Sequence, residues 1–413
     1  MHPAFRIPLF ALFLLAAGCA TRRPEPPTPA VLLVSVDGLR PADVTAIAMP
    51  ALHALGETGV RADGMRPSYP ALTFPNHYAL VTGLRPDHHG IVHNTMSDPR
   101  LGRFRPSDPV APKTGAWWGG VPVWVSVERA GLRSATMFWP GSEAEIGGVR
   151  PWQWRAYRDG TRAADSVTQV LRWLRAPAPE RPRFLTMYLD QVDEASHDHG
   201  PDSPQAAAAR TEVDAAIGSL LRGLRGSGLT ASVNLLVVSD HGFETVHAGQ
   251  VVPTDAMAPP DVAEAVSDGQ VIGFAPRPGR EADAERLLLG EHERYSCWRR
   301  SELPAGWRYG THPRVPAIVC QMAPGWDGVW RYKYDWLQAN RPRDERGSHG
   351  YDPDLPAMRA TFIASGPAFR NGARLPVFDN VDVYPLLMRL LHLQPAPNDG
   401  DIAPLLPALR DAR

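Results

Sequence analysis

The sequence is short of several things. It has three cysteines in 413 residues. Cys19 closes an N-terminal targeting segment, which leaves at most one internal disulfide, Cys297 with Cys320. The formal net charge is only −1, which gives no global electrostatic case for binding nucleic acid or an anionic membrane surface. The apolar stretch from Ile7 to Ala17 falls short of the roughly 20 residues that a spanning helix needs. No internal repeat is visible. The chain does carry 43 prolines and 36 glycines, the composition of long ordered loops around a sheet. Its length fits two or three domains, or one large α/β domain.

The N-terminus reads as an export signal over residues 1–19, with Arg6 ahead of the apolar stretch. Leu15-Ala-Ala-Gly-Cys19 resembles a bacterial lipobox, so lipidation of Cys19 and a periplasmic or outer-membrane-anchored location are expected. The Pro-rich residues 20–30 then form a stiff tether. Export into an oxidising compartment makes a Cys297–Cys320 disulfide an expectation, stapling a loop-rich excursion.

Three near-continuous apolar runs, Val31–Val36, Phe184–Leu189 and Val233–Val238, read as buried parallel strands. Helical spacing is expected over 49–59, over 161–175 (Ala164, Val167, Val170, Leu171, Leu174) and over 204–224 behind a Ser203 cap. A further strand is expected at 361–364 and a helix at 382–391. Between about 250 and 345 the pattern breaks down to one strand, 271–274, and one helix, 281–289, in an otherwise irregular inserted subdomain. The alternation predicts an α/β fold with a mostly parallel sheet.

Each apolar run ends on acid. The first ends at Asp37, the second at Asp190 with Asp193 beyond, and the third at Ser239 followed by Asp240-His241. Carboxyl ends of parallel strands share one edge, where ligands bind. Carboxylates gathered there at neutral pH need cations between them. Asp193 and His197, four apart, share one face of a helical turn, although spacing alone leaves Asp190 and His199 as rivals. His349 sits between Gly347-Ser348 and Gly350, where small residues permit close approach. Oxygen-plus-imidazole ligation suits zinc, with manganese or iron as alternatives. Thr73, at an expected helix start, could cap that helix or act as a nucleophile if a metal lowers its pKa.

These segments resemble the nucleotide pyrophosphatase/phosphodiesterase family of the alkaline phosphatase superfamily. The matching stretches are Val34-Ser-Val-Asp-Gly-Leu-Arg40, Pro70-Ala-Leu-Thr-Phe-Pro-Asn-His-Tyr78, Gly90-Ile-Val-His-Asn94, Trp117-Trp-Gly-Gly-Val-Pro-Val-Trp124, Asp193-Glu-Ala-Ser-His197, Ser239-Asp-His-Gly242 and Gly347-Ser-His-Gly-Tyr-Asp352. The resemblance implies an alkaline phosphatase-like three-layer sandwich, with residues 31–407 as the catalytic domain and without the Cys-rich and nuclease-like domains of animal relatives. It implies two zinc ions, one held by Asp193, His197 and His349, the other by Asp37, Asp240, His241 and the oxygen of the nucleophile Thr73. It settles Asp193 over Asp190. It further implies that the Asn94 amide binds a phosphoryl oxygen and that Phe74 and Tyr157 flank a nucleobase. Pro353 stands where the family has Asn after Gly-Tyr-Asp.

The activity so implied is hydrolysis of small nucleotide diesters or pyrophosphates, not of duplex nucleic acid. It would proceed through a phospho-threonine ester and release a nucleoside monophosphate. A choline-type phospholipid headgroup phosphodiesterase would share the metal site and differ in the pocket. A non-enzymatic exported binding lipoprotein would be marked by a lost ligand or nucleophile, and none is lost. The tryptophans of 100–160 are read as packing, the charged run 341–346 as a solvated loop, and His77, His88, His89, His93 and His247 as satisfied or exposed side chains.

Overall fold

The computed structural model describes residues 28–341 and 344–410. The signal segment, the lipobox and most of the tether lie outside the described residues. One eight-stranded sheet organises the rest. In chain order its strands are β1 (Ala30–Val36), β2 (Val60–Ala62), β3 (Ser134–Met137), β4 (Gln153–Arg155), β5 (Phe184–Leu189), β6 (Val233–Val238), β7 (Phe362–Ser365) and β8 (Ala373–Leu375). Their spatial order is β8-β2-β7-β6-β1-β5-β3-β4. β1 lies at the centre, parallel to β5 (Val31 opposite Phe184) and to β6 (Ala30 opposite Val233). β7 is antiparallel to both of its neighbours.

Because β1 is buried on both faces, its alternate residues feed two different cores. Leu32, Val34 and Val36 join one core and Val31 and Leu33 the other. The principal helices are α1 (Pro50–Thr58), α2 (Thr73–Thr82), α3 (Ala163–Leu174), α4 (Gln191–His199), α5 (Pro204–Gly226) and α6 (Val383–Leu391). α1, α3 and α5 cover the first face through Leu52, Val167, Val170, Ile217 and Leu220. α2 and α6 cover the second through Tyr78, Leu80, Val81, Leu386 and Leu387. This is the expected three-layer α/β/α arrangement. In α3 Val167, Val170, Leu171 and Leu174 are buried as expected, and only Ala164 differs: it is exposed, and its neighbour Ala163 is buried instead. Ser203 caps α5 by accepting the Ala206 N–H at 3.1 Å, ahead of Pro204 in the first turn, as expected.

The segment from about 250 to 345, expected as an irregular insertion, is more regular than its sequence suggests. It holds a five-stranded sheet made of Ala263–Ala265, Val271–Pro276, Gly290–Glu291, Tyr295–Arg299 and Ile318–Met322, with a helix at Glu281–Leu288. Its strands are short, two to six residues each, so periodicity has little to detect. Cys297 faces Cys320 across two neighbouring strands and is bonded to it. The disulfide therefore staples a sheet, not the loop-rich excursion expected. Closing a segment of sequence separation 23 is worth up to about 3 kcal/mol by chain-entropy arguments. A Cys297→Ser/Cys320→Ser variant should unfold at lower denaturant, and reductant should lower the wild-type midpoint to match. A midpoint unmoved by reductant would show that the sheet holds without the bond.

Candidate metal centre

The sheet edge carries the chemistry. Asp37 follows β1, Asp240 and His241 follow β6, and α4, which starts after Asp190 at the end of β5, carries Asp193 and His197. His349 arrives from far along the chain. The short strand Arg346–Ser348 pairs antiparallel with Glu244–Val246, Ser348 opposite Glu244, which sets the next residue, His349, against His241. The two imidazoles stack at 3.5 Å between centroids.

Three overlapping groups form, each with its ligand atoms within 4.8 Å of one another: Asp193, His197 and His349; Asp37, Asp193 and His241; and Asp37, His77 and Asp240. His241 Nε2 lies 3.4 Å from Asp37 Oδ1, 2.9 Å from Asp240 Oδ2 and 3.3 Å from Thr73 Oγ1. Every metal ligand expected from the sequence is therefore brought to one place, with Thr73 beside the second group. Asp190 is not part of any of these groups; it accepts the Tyr157 hydroxyl at 2.5 Å. His199 points to solvent. Thr73 is the first residue of α2, whose N-cap is Leu72 with no side-chain cap, so its hydroxyl does not cap the helix.

Hydrogen bonding tests whether cations fit. His197 Nδ1 donates to Gly347 O at 3.1 Å, His241 Nδ1 to Gly242 O at 3.0 Å and His349 Nδ1 to Ala71 O at 3.0 Å. A carbonyl only accepts, so each ring carries its proton on Nδ1 and turns an Nε2 lone pair inward. Two of those lone pairs, on His197 and His349, face each other at 3.0 Å. Asp37 Oδ1, Asp193 Oδ1 and Asp240 Oδ2 are buried without a hydrogen-bond partner among the described residues. Opposed lone pairs and orphaned carboxylate oxygens are unfavourable unless cations lie between them. Burial, and then the Asp240 charge, push Asp37 and Asp193 well above the usual carboxylate range. Burial would also raise Asp240, but the imidazoles of His241 and His77 hold it low. The donor set of oxygens and neutral imidazoles fits divalent metal ions.

Other groups hold this shell in place. Tyr188 donates its hydroxyl to Asp37 Oδ2 at 2.6 Å, and Gly38 N–H donates to Asp240 Oδ1 at 3.2 Å. Asn94 Oδ1 accepts the Phe74 N–H at 2.9 Å, which leaves the Asn94 Nδ2–H groups as donors at the start of α2. Beyond Phe74 opens a cavity of about 460 Å³. Phe74, Trp139, Tyr157 and Tyr188 are among its walls, and Glu143, Asp159 and Glu194 are its charged lining. Phe74 also packs edge-on to Phe104, 5.7 Å between centroids, so it serves the core and the cavity at once. Trp117, Trp118, Trp124 and Trp139 are buried, as the packing reading expected, whereas Trp152 is exposed and does not fit it. Sequence reasoning missed Tyr188, the acidic cavity lining and the place of His77 beside Asp240; only the i, i+4 spacing of His77 from Thr73 was there to signal the last.

A mostly parallel sheet with Asp/His clusters that could hold metal ions and a hydroxyl at its carboxyl edge defines an α/β protein with a candidate metal centre. Residues 31–352 match the family described as type I phosphodiesterase/nucleotide pyrophosphatase. An uncharacterised pyrophosphatase/phosphodiesterase of Schizosaccharomyces pombe is 34% identical over 92% of this chain and 80% of its own length. Ectonucleotide pyrophosphatase/phosphodiesterase family member 1 of Mus musculus is 33% identical over 92% of this chain, which spans 42% of that protein's length. Murine ectonucleotide pyrophosphatase/phosphodiesterase 5, solved as an inactive Thr-to-Ala variant in complex with AMP, superposes with a TM-score of 0.85 at 30% identity, over 92% of this chain and all of that one. The chain belongs to the type I phosphodiesterase/nucleotide pyrophosphatase family, within the alkaline phosphatase superfamily.

Proposed function

We propose that this protein hydrolyses nucleotide phosphodiesters and pyrophosphates, with Thr73 as the nucleophile, and releases nucleoside monophosphates. The observation that carries the reading is the Thr73 hydroxyl, 3.3 Å from His241 Nε2, placed between the unsatisfied metal-binding cluster and an aromatic cavity that starts at the next residue, Phe74. Asp37, Asp240 and His241 would hold one divalent ion and Asp193, His197 and His349 the other, with zinc favoured by the nitrogen and oxygen donor set. When bound, the ions supply the positive charge that makes an alkoxide accessible near neutral pH and stabilises the leaving oxygen.

The protein's own groups do the rest. Thr73 Oγ1 forms a bond to phosphorus as the bond to the leaving oxygen breaks, giving a phospho-threonine ester. Water then displaces the threonine oxygen, Thr73 regains its proton, and the nucleoside monophosphate leaves. Asn94 Nδ2–H donates to a non-bridging phosphoryl oxygen, and the α2 N-terminus adds its own amides. Phe74 and Tyr157 take the base between them, an interaction tolerant of base identity. Phe74→Ala should raise KM for a nitrophenyl ester of a nucleoside monophosphate by about tenfold or more; an unchanged KM would remove Phe74 from the base site.

The acidic aromatic cavity also favours a second reading, because a quaternary ammonium headgroup would suit its π faces and carboxylates. Assaying the metal-loaded protein with a nitrophenyl nucleoside monophosphate ester, a choline lysophospholipid and nitrophenyl phosphate decides between them. The nucleotide ester should be turned over fastest; preference for the lipid would overturn the nucleotide reading. Export is part of the proposal. It is supported by the Cys297–Cys320 bond, which suits an oxidising compartment, and by the Leu15–Cys19 lipobox as the site of a lipid anchor. Among the described residues no helix is long and apolar enough to cross a membrane.

A further inference from the structure

His77 is fully buried on α2, one turn after Thr73. Its Nδ1 lies 2.9 Å from the Thr73 carbonyl oxygen and 3.3 Å from Asp240 Oδ2. The carbonyl can only accept, so Nδ1 carries the proton. Its Nε2 lies 2.8 Å from Ser35 Oγ, two residues before Asp37 on β1, so the serine hydroxyl donates to that nitrogen. This separates His77 from the three histidines of the metal centre. Those turn an open Nε2 lone pair inward, whereas the Nε2 of His77 is already taken. Its ring is also held edge-on by Trp139 at 5.1 Å and Tyr188 at 5.0 Å between centroids. Trp139 Nε1 donates to the His77 carbonyl at 3.1 Å. Tyr188 is the residue whose hydroxyl grips Asp37.

We propose that His77 is a positioning residue that bonds the Thr73 carbonyl through its Nδ1 proton and Ser35 on β1 through Nε2, with its Nδ1 edge set 3.3 Å from Asp240 Oδ2 as a polar contact and not a hydrogen bond. Ser35 holds it in that tautomer, so the nucleophile's helix and a metal ligand from a different strand keep one fixed spacing. The proposal rests on Thr73 being the nucleophile. Its chemical content is geometric: a displacement of about 1 Å at a reacting atom can cost about 100-fold in rate, and residues that orient ligands are worth about 10- to 100-fold in metal affinity or activity.

The test separates the two ends of the ring. Asparagine places an amide N–H where Nδ1 stands, and glutamine reaches only toward the Nε2 position. His77→Gln should lower kcat about 100-fold with KM changed less than about threefold, and should weaken zinc affinity about tenfold by chelator competition. His77→Asn should recover kcat to within about tenfold of wild type and restore zinc affinity, even though its thermal midpoint falls as far as that of His77→Gln. Ser35→Ala leaves the helix untouched and frees the tautomer; it should lower kcat several-fold, and it keeps the proposal testable if a His77 variant does not fold. Equal loss of kcat and zinc affinity in the Asn and Gln variants, or wild-type kcat in Ser35→Ala, would make His77 a packing residue and overturn the proposal. Undiminished activity of Thr73→Ala would instead overturn the nucleophile assignment on which it rests.

Discussion

Thr73→Ala should fold and bind metal like the wild type and lose about 10⁴-fold or more in kcat, the scale of removing a covalent nucleophile. The structure separates these effects. Thr73 opens α2 without capping it, and the short contact its hydroxyl makes is with His241 Nε2 at 3.3 Å. No helix cap and no core contact is lost with the oxygen, so the thermal midpoint should move by no more than about 2 °C. The readouts are kcat on the nitrophenyl nucleotide ester and acid-stable label on protein quenched during turnover with a phosphorus-labelled substrate. Wild type should trap label and the variant should not. A variant that retained activity would remove Thr73 from the chemistry, and a variant that lost its metal as well would mean the oxygen is needed to hold the site together.

Removing the metal ions should abolish turnover reversibly, and the affinity of the emptied site should depend steeply on pH. Without cations, Asp37 Oδ1, Asp193 Oδ1 and Asp240 Oδ2 have no hydrogen-bond partner among the described residues, and two imidazole lone pairs oppose each other at 3.0 Å. Burial and like charge raise the carboxyls of Asp37 and Asp193 in the metal-free protein, so protons occupy them at pH values where free aspartate is ionised. Metal binding must displace those protons. The sign follows: affinity weakens as pH falls and protons refill the two raised carboxyls, which chelator competition across a pH series reads. An affinity that strengthened as pH fell would overturn Asp37 and Asp193 as ligands. The fold should survive metal removal, because the apolar cores on both faces of the sheet lie outside the cluster.

The sequence by itself determined the frame. The runs 31–36, 184–189 and 233–238 became central strands because an apolar run buried on both faces carries its signal locally. The carboxylates at their ends converged because the carboxyl ends of parallel strands lie along one edge, so Asp37, Asp240 and the Asp193–His197 turn were legible before any contact was known. His349 was legible only through a glycine-flanked motif; its place beside His241 depends on the pairing of 346–348 with 244–246. Tertiary structure alone decided the rest. It built a five-stranded sheet from an insertion too broken to show a period. It gave Asp190 a partner of its own, the Tyr157 hydroxyl. It gathered Glu143, Asp159 and Glu194 around the cavity beside Phe74, and it turned His77, one buried histidine among several, toward Ser35, Thr73 and Asp240. The division is physical: burial and periodicity act over a few neighbouring residues and leave their mark in sequence, whereas the partner of a hydrogen bond is set by side chains tens to hundreds of residues away.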